Sequence, residues 1–316
     1  MTRESVSLAD IQAAAQRIVG RVRRTPTVQA ACLHAPTGPL DLWLKLENLQ
    51  VTGSFKPRGA INCLLQLDPD RVARGIVTAS GGNHGLAVAY AGRQAATRAV
   101  IYLPETTPSE KIEKLHQWGA EVVIEGTVWD EANRAALAHA ERKDMALIHP
   151  FADPRVVAGQ GTVGLEFLED APDLDLLVVA IGGGGLISGI ATAAKAVMPG
   201  IRVAGVEPVG APTLSRSLEA GELVTLSEIN TAVGTLAPAR SAQINLDIIT
   251  RTVDQIVLVD DGEMAEAARW LWFELGIAAE LSGAAAMAAL LQGRIAAEPD
   301  MTVGVLVCGA GSDGFP

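Results

Sequence analysis

The 316-residue chain is poor in aromatic residues, poor in cysteine and free of any dense basic run. Aromatics make up 4% of the residues against 49% hydrophobics. The core must therefore be assembled from Ala, Val, Leu and Ile, the material of buried parallel strands covered by Ala-rich helices. Only three cysteines occur, Cys32, Cys63 and Cys308. An odd, scattered set without metal-type spacing speaks against a disulfide framework or a metal site and points to a reducing compartment. With 36 acidic and 25 basic side chains the net charge is −11, which lacks the basic face that nucleic acid requires. No uninterrupted apolar run reaches the ~18 residues needed to cross a bilayer. The stretch from Met1 to Gln16 reads as a polar-capped helix without the apolar core of a secretory signal. The expectation is a cytoplasmic protein with neither membrane nor nucleic-acid partners.

What is present is an alternation of short apolar runs and helical patterns. Strands are expected at Gly75–Ala79, Ala99–Leu103, Glu121–Ile124, Leu176–Ile181, Arg202–Val206, Gln255–Val259 and Val303–Cys308. Helices are expected at Asn83–Arg93, Pro108–Trp118, Trp129–Arg142, Ser188–Val197 and Asp261–Leu275. Such alternation implies an α/β fold with parallel sheets and right-handed crossovers. The strands fall into two sets with no flexible linker between them. Two open, twisted, mostly parallel sheet lobes with helices on both faces should therefore pack around a cleft. Ligands of such sheets lie beyond the carboxyl ends of the strands, and the Gly-rich segments of this chain follow strands.

Four segments could carry chemistry. Ser54-Phe55-Lys56-Pro57-Arg58-Gly59-Ala60 places a lysine where Pro57 suits a helix start, so the positive end of the helix dipole would disfavour its ammonium form. Phe55 could cover one face of a planar ligand. Taken alone, Lys56 would by default be an ordinary exposed lysine at a helix start. The turn Ser80-Gly81-Gly82-Asn83-His84-Gly85 would expose several N–H groups at a helix start, suited to a carboxylate; it could also be a plain turn capped by Asn83. The run Gly182-Gly183-Gly184-Gly185-Leu186 lets backbone curl around a tetrahedral anion. It lacks the spacing of dinucleotide and nucleotide-triphosphate loops. Cys308 should emerge at the end of a buried strand, as a ligand partner or simply as a structural cysteine.

Together these segments resemble the threonine dehydratase and serine racemase family, the fold-type-II pyridoxal-phosphate enzymes. Further matching segments are Arg24-Thr25-Pro26, Lys45-Leu46-Glu47-Asn48, Ala158-Gly159-Gln160-Gly161-Thr162, Gly205-Val206-Glu207-Pro208 and Glu280-Leu281-Ser282-Gly283-Ala284, in family order along nearly the whole chain. The resemblance implies pyridoxal 5′-phosphate in the cleft, linked to Lys56 as a Schiff base. Lys56 would also be the base that removes the α-proton. Gly182, Gly183, Gly184, Gly185 and Leu186 would cradle the phosphate, Asn83 would meet the ring hydroxyl, Cys308 the ring nitrogen, and Phe55 and Glu280 would lie near the ring; Glu280 could instead be a surface glutamate. Ser80, Gly81, Asn83 and His84 would bind the substrate. Residues 1–65 and 152–316 would form the larger, cofactor-holding lobe, and 66–151 the smaller lobe with the substrate-carboxylate loop.

The implied reaction is β-elimination from a β-hydroxy L-amino acid such as L-threonine or L-serine, giving a 2-oxo acid and ammonia. The family resemblance also implies a homodimer. Racemising relatives carry a serine base where this chain has Gly81, which cannot transfer a proton. Val233 replaces an Asp common in relatives, so a dehydratase for another β-hydroxy amino acid, of the 3-hydroxyaspartate or phenylserine type, remains an alternative, as do an amino-acid racemase, a β-replacement synthase and a non-catalytic sensor. Glu207 matches one residue of the relatives' divalent-cation site, but Thr213 stands where a second acid belongs, so no required divalent metal is expected.

Overall fold

The computed structural model describes residues 5–315; the beginning of the expected N-terminal helix, Met1 to Glu4, lies outside the described residues. Strands in chain order are β1 (Thr27–Gln29), β2 (Asp41–Leu46), β3 (Ile76–Ala79), β4 (Ala99–Leu103), β5 (Glu121–Ile124), β6 (Ala146–Leu147), β7 (Leu176–Ala180), β8 (Arg202–Pro208), β9 (Gln255–Val259) and β10 (Thr302–Val307). Helices are α1 (Leu8–Ile18), α2 (Lys56–Leu64), α3 (Pro69–Arg74), α4 (Asn83–Gln94), α5 (Ser109–Gln117), α6 (Trp129–Arg142), α7 (Pro154–Asp170), α8 (Gly185–Val197), α9 (Thr213–Ala220), α10 (Gln243–Thr252), α11 (Asp261–Leu275) and α12 (Leu281–Leu291).

The strands form two sheets. The larger runs β1-β2-β10-β7-β8-β9 and the smaller β5-β4-β3-β6. Every pairing is parallel except β1 with β2. The small sheet shows how alternation builds layers, because successive side chains of a strand point to opposite faces. Ile76, Ile101 and Leu103 pack with Leu86 and Tyr90 of α4 on one face. Val77, Val100 and Tyr102 pack with Ala132, Ala136 and Ala140 of α6 on the other. In the larger sheet β10 lies between β2 and β7, and α12 packs against β7, β8, β9 and β10.

All seven expected strands and all five expected helices are present within a few residues. Three strands were not expected. β2 carries a fully buried lysine, Lys45, β1 has three residues and β6 two. The expected helix at Ser188 begins earlier, at Gly185, because Gly184 takes a left-handed conformation (φ 90°) and closes the turn there. Only glycine adopts that backbone without strain.

Beneath α2 lies a buried charge network. The Arg58 guanidinium donates to both oxygens of Glu47 (2.8 and 2.7 Å) and to both of Glu166 (2.7 and 2.8 Å). Lys45 lies 3.2 Å from Glu166 and 3.1 Å from Asp170. Arg58, Lys45 and Glu47 are all fully buried. These pairs tie β2 and the turn after it to α2 and α7. Close approach of helices completes the scaffold: a Cβ on Gly159 of α7 would lie 2.6 Å from the Arg58 carbonyl of α2, so only glycine admits this contact.

Candidate active site

Lys56 is the first residue of α2 and Pro57 the second, with Phe55 as the cap. The loop ahead of it is laced to the end of β10. Ser54 bridges Gly309, Phe55 N donates to Cys308 O at 3.2 Å, and Ala310 N donates to Gly53 O at 2.7 Å. This ladder brings the lysine beside the strand end that bears Cys308. Lys56 Nζ donates to the carbonyl of Pro150 at 3.0 Å and lies 5.1 Å from the Phe55 ring centre. The residue is half-buried, and protein surrounds its amine. Burial pulls its pKa down to about 8, although Cys308 and Glu280 act in the opposite direction.

The glycine run crosses from β7 into α8 and is enclosed by three other segments. A Cβ on Gly183 would land 2.2 Å from the Phe151 ring, one on Gly185 3.0 Å from the same residue, and one on Gly182 2.8 Å from the Thr235 carbonyl. The Gly183 carbonyl accepts hydrogen bonds from Ser241 Oγ (2.9 Å) and Asn245 Nδ2 (2.8 Å). Backbone is thus fixed in a shape that no side chain could share, at the positive end of a helix. Leu186, its last member, is buried in α8.

The turn after β3 is capped by Gly82, not Asn83. Gly82 N bonds Ser80 Oγ at 3.3 Å. Asn83 is the first residue of α4, and its Nδ2 donates to Glu280 Oε1 at 2.7 Å. The same oxygen accepts from Ser282 Oγ. Burial raises the pKa of Glu280, and these two bonds oppose the rise. Gly81 lies against the loop after β4, where a Cβ would sit 3.1 Å from Thr107 Cγ2 and 3.3 Å from Leu103 Cδ2. His84 points inward. Its ring is buried, Nε2 lies 3.0 Å from the Ile148 carbonyl, and burial with the nearby Lys56 charge depresses its pKa to about 3. The imidazole is therefore neutral. Cys308 is buried, its thiol 3.4 Å from the Ser282 carbonyl, and burial with the Glu280 charge pushes its pKa up, so it stays a neutral thiol.

Sequence reasoning missed the segment His149-Pro150-Phe151. His149 Nδ1 accepts from Phe151 N (3.2 Å) and Ala152 N (2.8 Å), fixing the turn that aims the Pro150 carbonyl at Lys56 and packs Phe151 on the glycine run. It also missed Asn245, Ser241 and Thr235. None carries a local signature, since each is brought to the site by tertiary contact. Glu207, the residue matching a cation ligand, is buried and accepts from Leu214 N and Ser215 N, both at 2.8 Å, at the start of α9. Burial raises its pKa to about 7.

The residues present fit pyridoxal phosphate. A buried amine with a depressed pKa, a backbone cradle for a tetrahedral anion and an uncharged thiol converge at the ends of β7 and β10 of the larger sheet.

The comparisons with known proteins agree with this. A family model described as pyridoxal-phosphate dependent enzyme matches residues 18–309. An L-threonine ammonia-lyase of Thermotoga maritima is 39% identical over 286 residues, covering 90% of this chain and 71% of that protein. A serine racemase of Oryza sativa subsp. indica is 34% identical, over 98% of this chain and 92% of that protein. The solved structure of maize serine racemase superposes with a TM-score of 0.92 at 34% identity, covering 97% and 94% of the two chains.

Proposed function

Because this chain belongs to the family of pyridoxal-phosphate-dependent enzymes, we propose that it is an ammonia-lyase converting a β-hydroxy L-amino acid of the L-threonine or L-serine type to a 2-oxo acid and ammonia. When bound, pyridoxal phosphate supplies an aldehyde that joins amines and a conjugated ring that disperses carbanion charge. Gly182 to Leu186 would hold its phosphate, Asn83 would meet its ring oxygen, Cys308 its ring nitrogen, and Phe55 would lie beside it with Glu280 supporting Asn83. The neutral thiol of Cys308 would give the ring nitrogen an uncharged partner. Backbone N–H groups of Ser80 to His84 orient the substrate carboxylate, with the Ser80 hydroxyl beside them.

The observation that carries the reading is the Lys56 amine, enclosed by protein and held beside the strand end that bears Cys308, where burial lowers its pKa to about 8. That amine would hold the cofactor at rest and, when free, would accept the α-proton at Nζ. Related L-threonine ammonia-lyases support elimination as the outcome. Serine racemases among the relatives favour racemisation as a second reading, but Gly81 offers no side chain that could carry a proton to the opposite face.

The reading includes the division at residues 66 and 151 into a cofactor-holding lobe and a lobe bearing the carboxylate loop. It also includes a cytoplasmic location, supported by three free cysteines, and a homodimer, supported by Trp272, Phe273 and Phe315, which stand exposed on and beside α11. Sedimentation at increasing concentration tests the dimer. The reaction is tested by measuring ammonia release from L-threonine and L-serine alongside formation of their D-isomers. Elimination should be much the faster. Comparable D-isomer formation overturns the assignment.

A further inference from the structure

The segment Thr231 to Leu236 enters the cleft between the two loops that hold the substrate's carboxylate and the cofactor's phosphate. It is pinned from behind. Thr231 Oγ1 and Ala232 N both donate to the Asp261 carboxylate, at 2.5 and 2.6 Å, and Val233 N donates to Thr231 Oγ1 at 3.1 Å. Val233 and Leu236 turn into the core, at 4% and 5% exposure. That leaves Gly234 and Thr235 facing outward, with Thr235 as the one side chain the pair presents.

Thr235 touches both neighbouring loops. A Cβ on Gly182 of the cradle would lie 2.8 Å from its carbonyl, and a Cβ on Gly82 of the carboxylate loop 3.5 Å from its Cγ2. With the methyl turned to Gly82, the hydroxyl Oγ1 has no hydrogen-bond partner among the described residues. Thr231, by contrast, and Thr213, whose Oγ1 donates to Pro238 O, both spend their hydroxyls on the fold. Across the same loop, Thr107 lies against Gly81. The two side chains flanking the paired glycines are therefore both uncharged and both bear a hydroxyl.

We propose that Thr235 reads the substrate side chain, its free hydroxyl bonding the β-hydroxyl of a substrate whose side chain carries no charge. The inference rests on the lyase reading above and narrows it. Val233, buried and apolar, supplies no charge to the same end of the cleft, so a β-carboxylate would be desolvated there without a partner.

The test compares wild type, Thr235→Val and Thr235→Ser on L-serine, L-threonine and 3-hydroxyaspartate, following ammonia release and the visible absorbance of bound cofactor. Thr235→Val keeps the shape and removes the hydroxyl. It should lower kcat/KM for L-serine and L-threonine about three- to ten-fold, the worth of one neutral hydrogen bond, mainly through KM and with cofactor absorbance unchanged. Thr235→Ser should retain most of the wild-type value. Wild-type kinetics in Thr235→Val overturn the proposal, as does equal loss in both variants, which would make the methyl the important group. Preference of the wild type for 3-hydroxyaspartate overturns the uncharged side chain alone. Absence of ammonia from every β-hydroxy amino acid removes the lyase reading and this inference with it.

Discussion

Asn83 Nδ2 donates to Glu280 Oε1 at 2.7 Å, joining the start of α4 on the small sheet to the start of α12 on the large one. Glu280 also receives Ser282 Oγ, so one buried oxygen satisfies two donors from opposite sides of the cleft. Its removal leaves both unpaired. Glu280→Ala should cost about 1–3 kcal/mol of unfolding free energy, read by denaturant titration, and should weaken cofactor retention in equilibrium dialysis. Glu280→Gln, which keeps an acceptor oxygen, should recover much of both.

The depressed pKa of Lys56 sets a pH dependence with a definite sign. Burial makes the amine half-neutral at about pH 8 in place of the ordinary 10.5. Cofactor capture by the apoprotein should therefore rise through about pH 8 and level off, measured by stopped-flow absorbance. Between those two values the unfolded chain holds a proton that the folded one has lost, so apoprotein stability should increase with pH across this window. Lys56→Ala should remove that slope, the visible cofactor band and turnover together.

Gly183 tests the cradle. Its Cβ would fall inside contact distance of the Phe151 ring, and overpacking of this kind costs about 1–3 kcal/mol. Gly183→Ala should lose that much stability in thermal unfolding. It should also bind pyridoxal phosphate far more weakly in a fluorescence titration, while Gly200→Ala, where a Cβ meets nothing within 4 Å, should bind it as the wild type does.

Arg58 tests the network beneath the lysine. Arg58→Met leaves Glu47 and Glu166 facing each other without their shared cation, Glu47 being fully buried. Breaking such a pair costs about 3–5 kcal/mol, measurable by urea denaturation. Adding Glu47→Gln to Arg58→Met should return part of the loss, because one uncompensated buried charge is then gone.

The sequence made the amine, the cradle and the carboxylate loop legible because each is a local pattern at a strand end or helix start. Phe151, Asn245 and the Arg58–Glu166 pair were not legible, since their meaning arises only when distant segments pack. α12 escaped for a different reason: Leu-Ser-Gly-Ala-Ala-Ala-Met-Ala-Ala-Leu-Leu is apolar on every side, so no period separates a buried helix from a buried strand. α7 carries Gly159, Gly161 and Gly164, which argue against a helix by propensity yet permit close packing on α2 and α8. Asp41–Leu46 hid as a strand because Lys45 belongs to the buried ion network.

The ladder that seats Lys56 uses the backbone of residues 308 to 310, just after a strand that is inserted between two others in its sheet. Lys56 stands about 250 residues upstream of the backbone that seats it. Until β10 is in place, Gly53, Ser54 and Phe55 lack their backbone partners, and the lysine is not held beside the strand end that bears Cys308. Seating of the amine and completion of the larger sheet are therefore coupled, because the segment that ends β10 serves both.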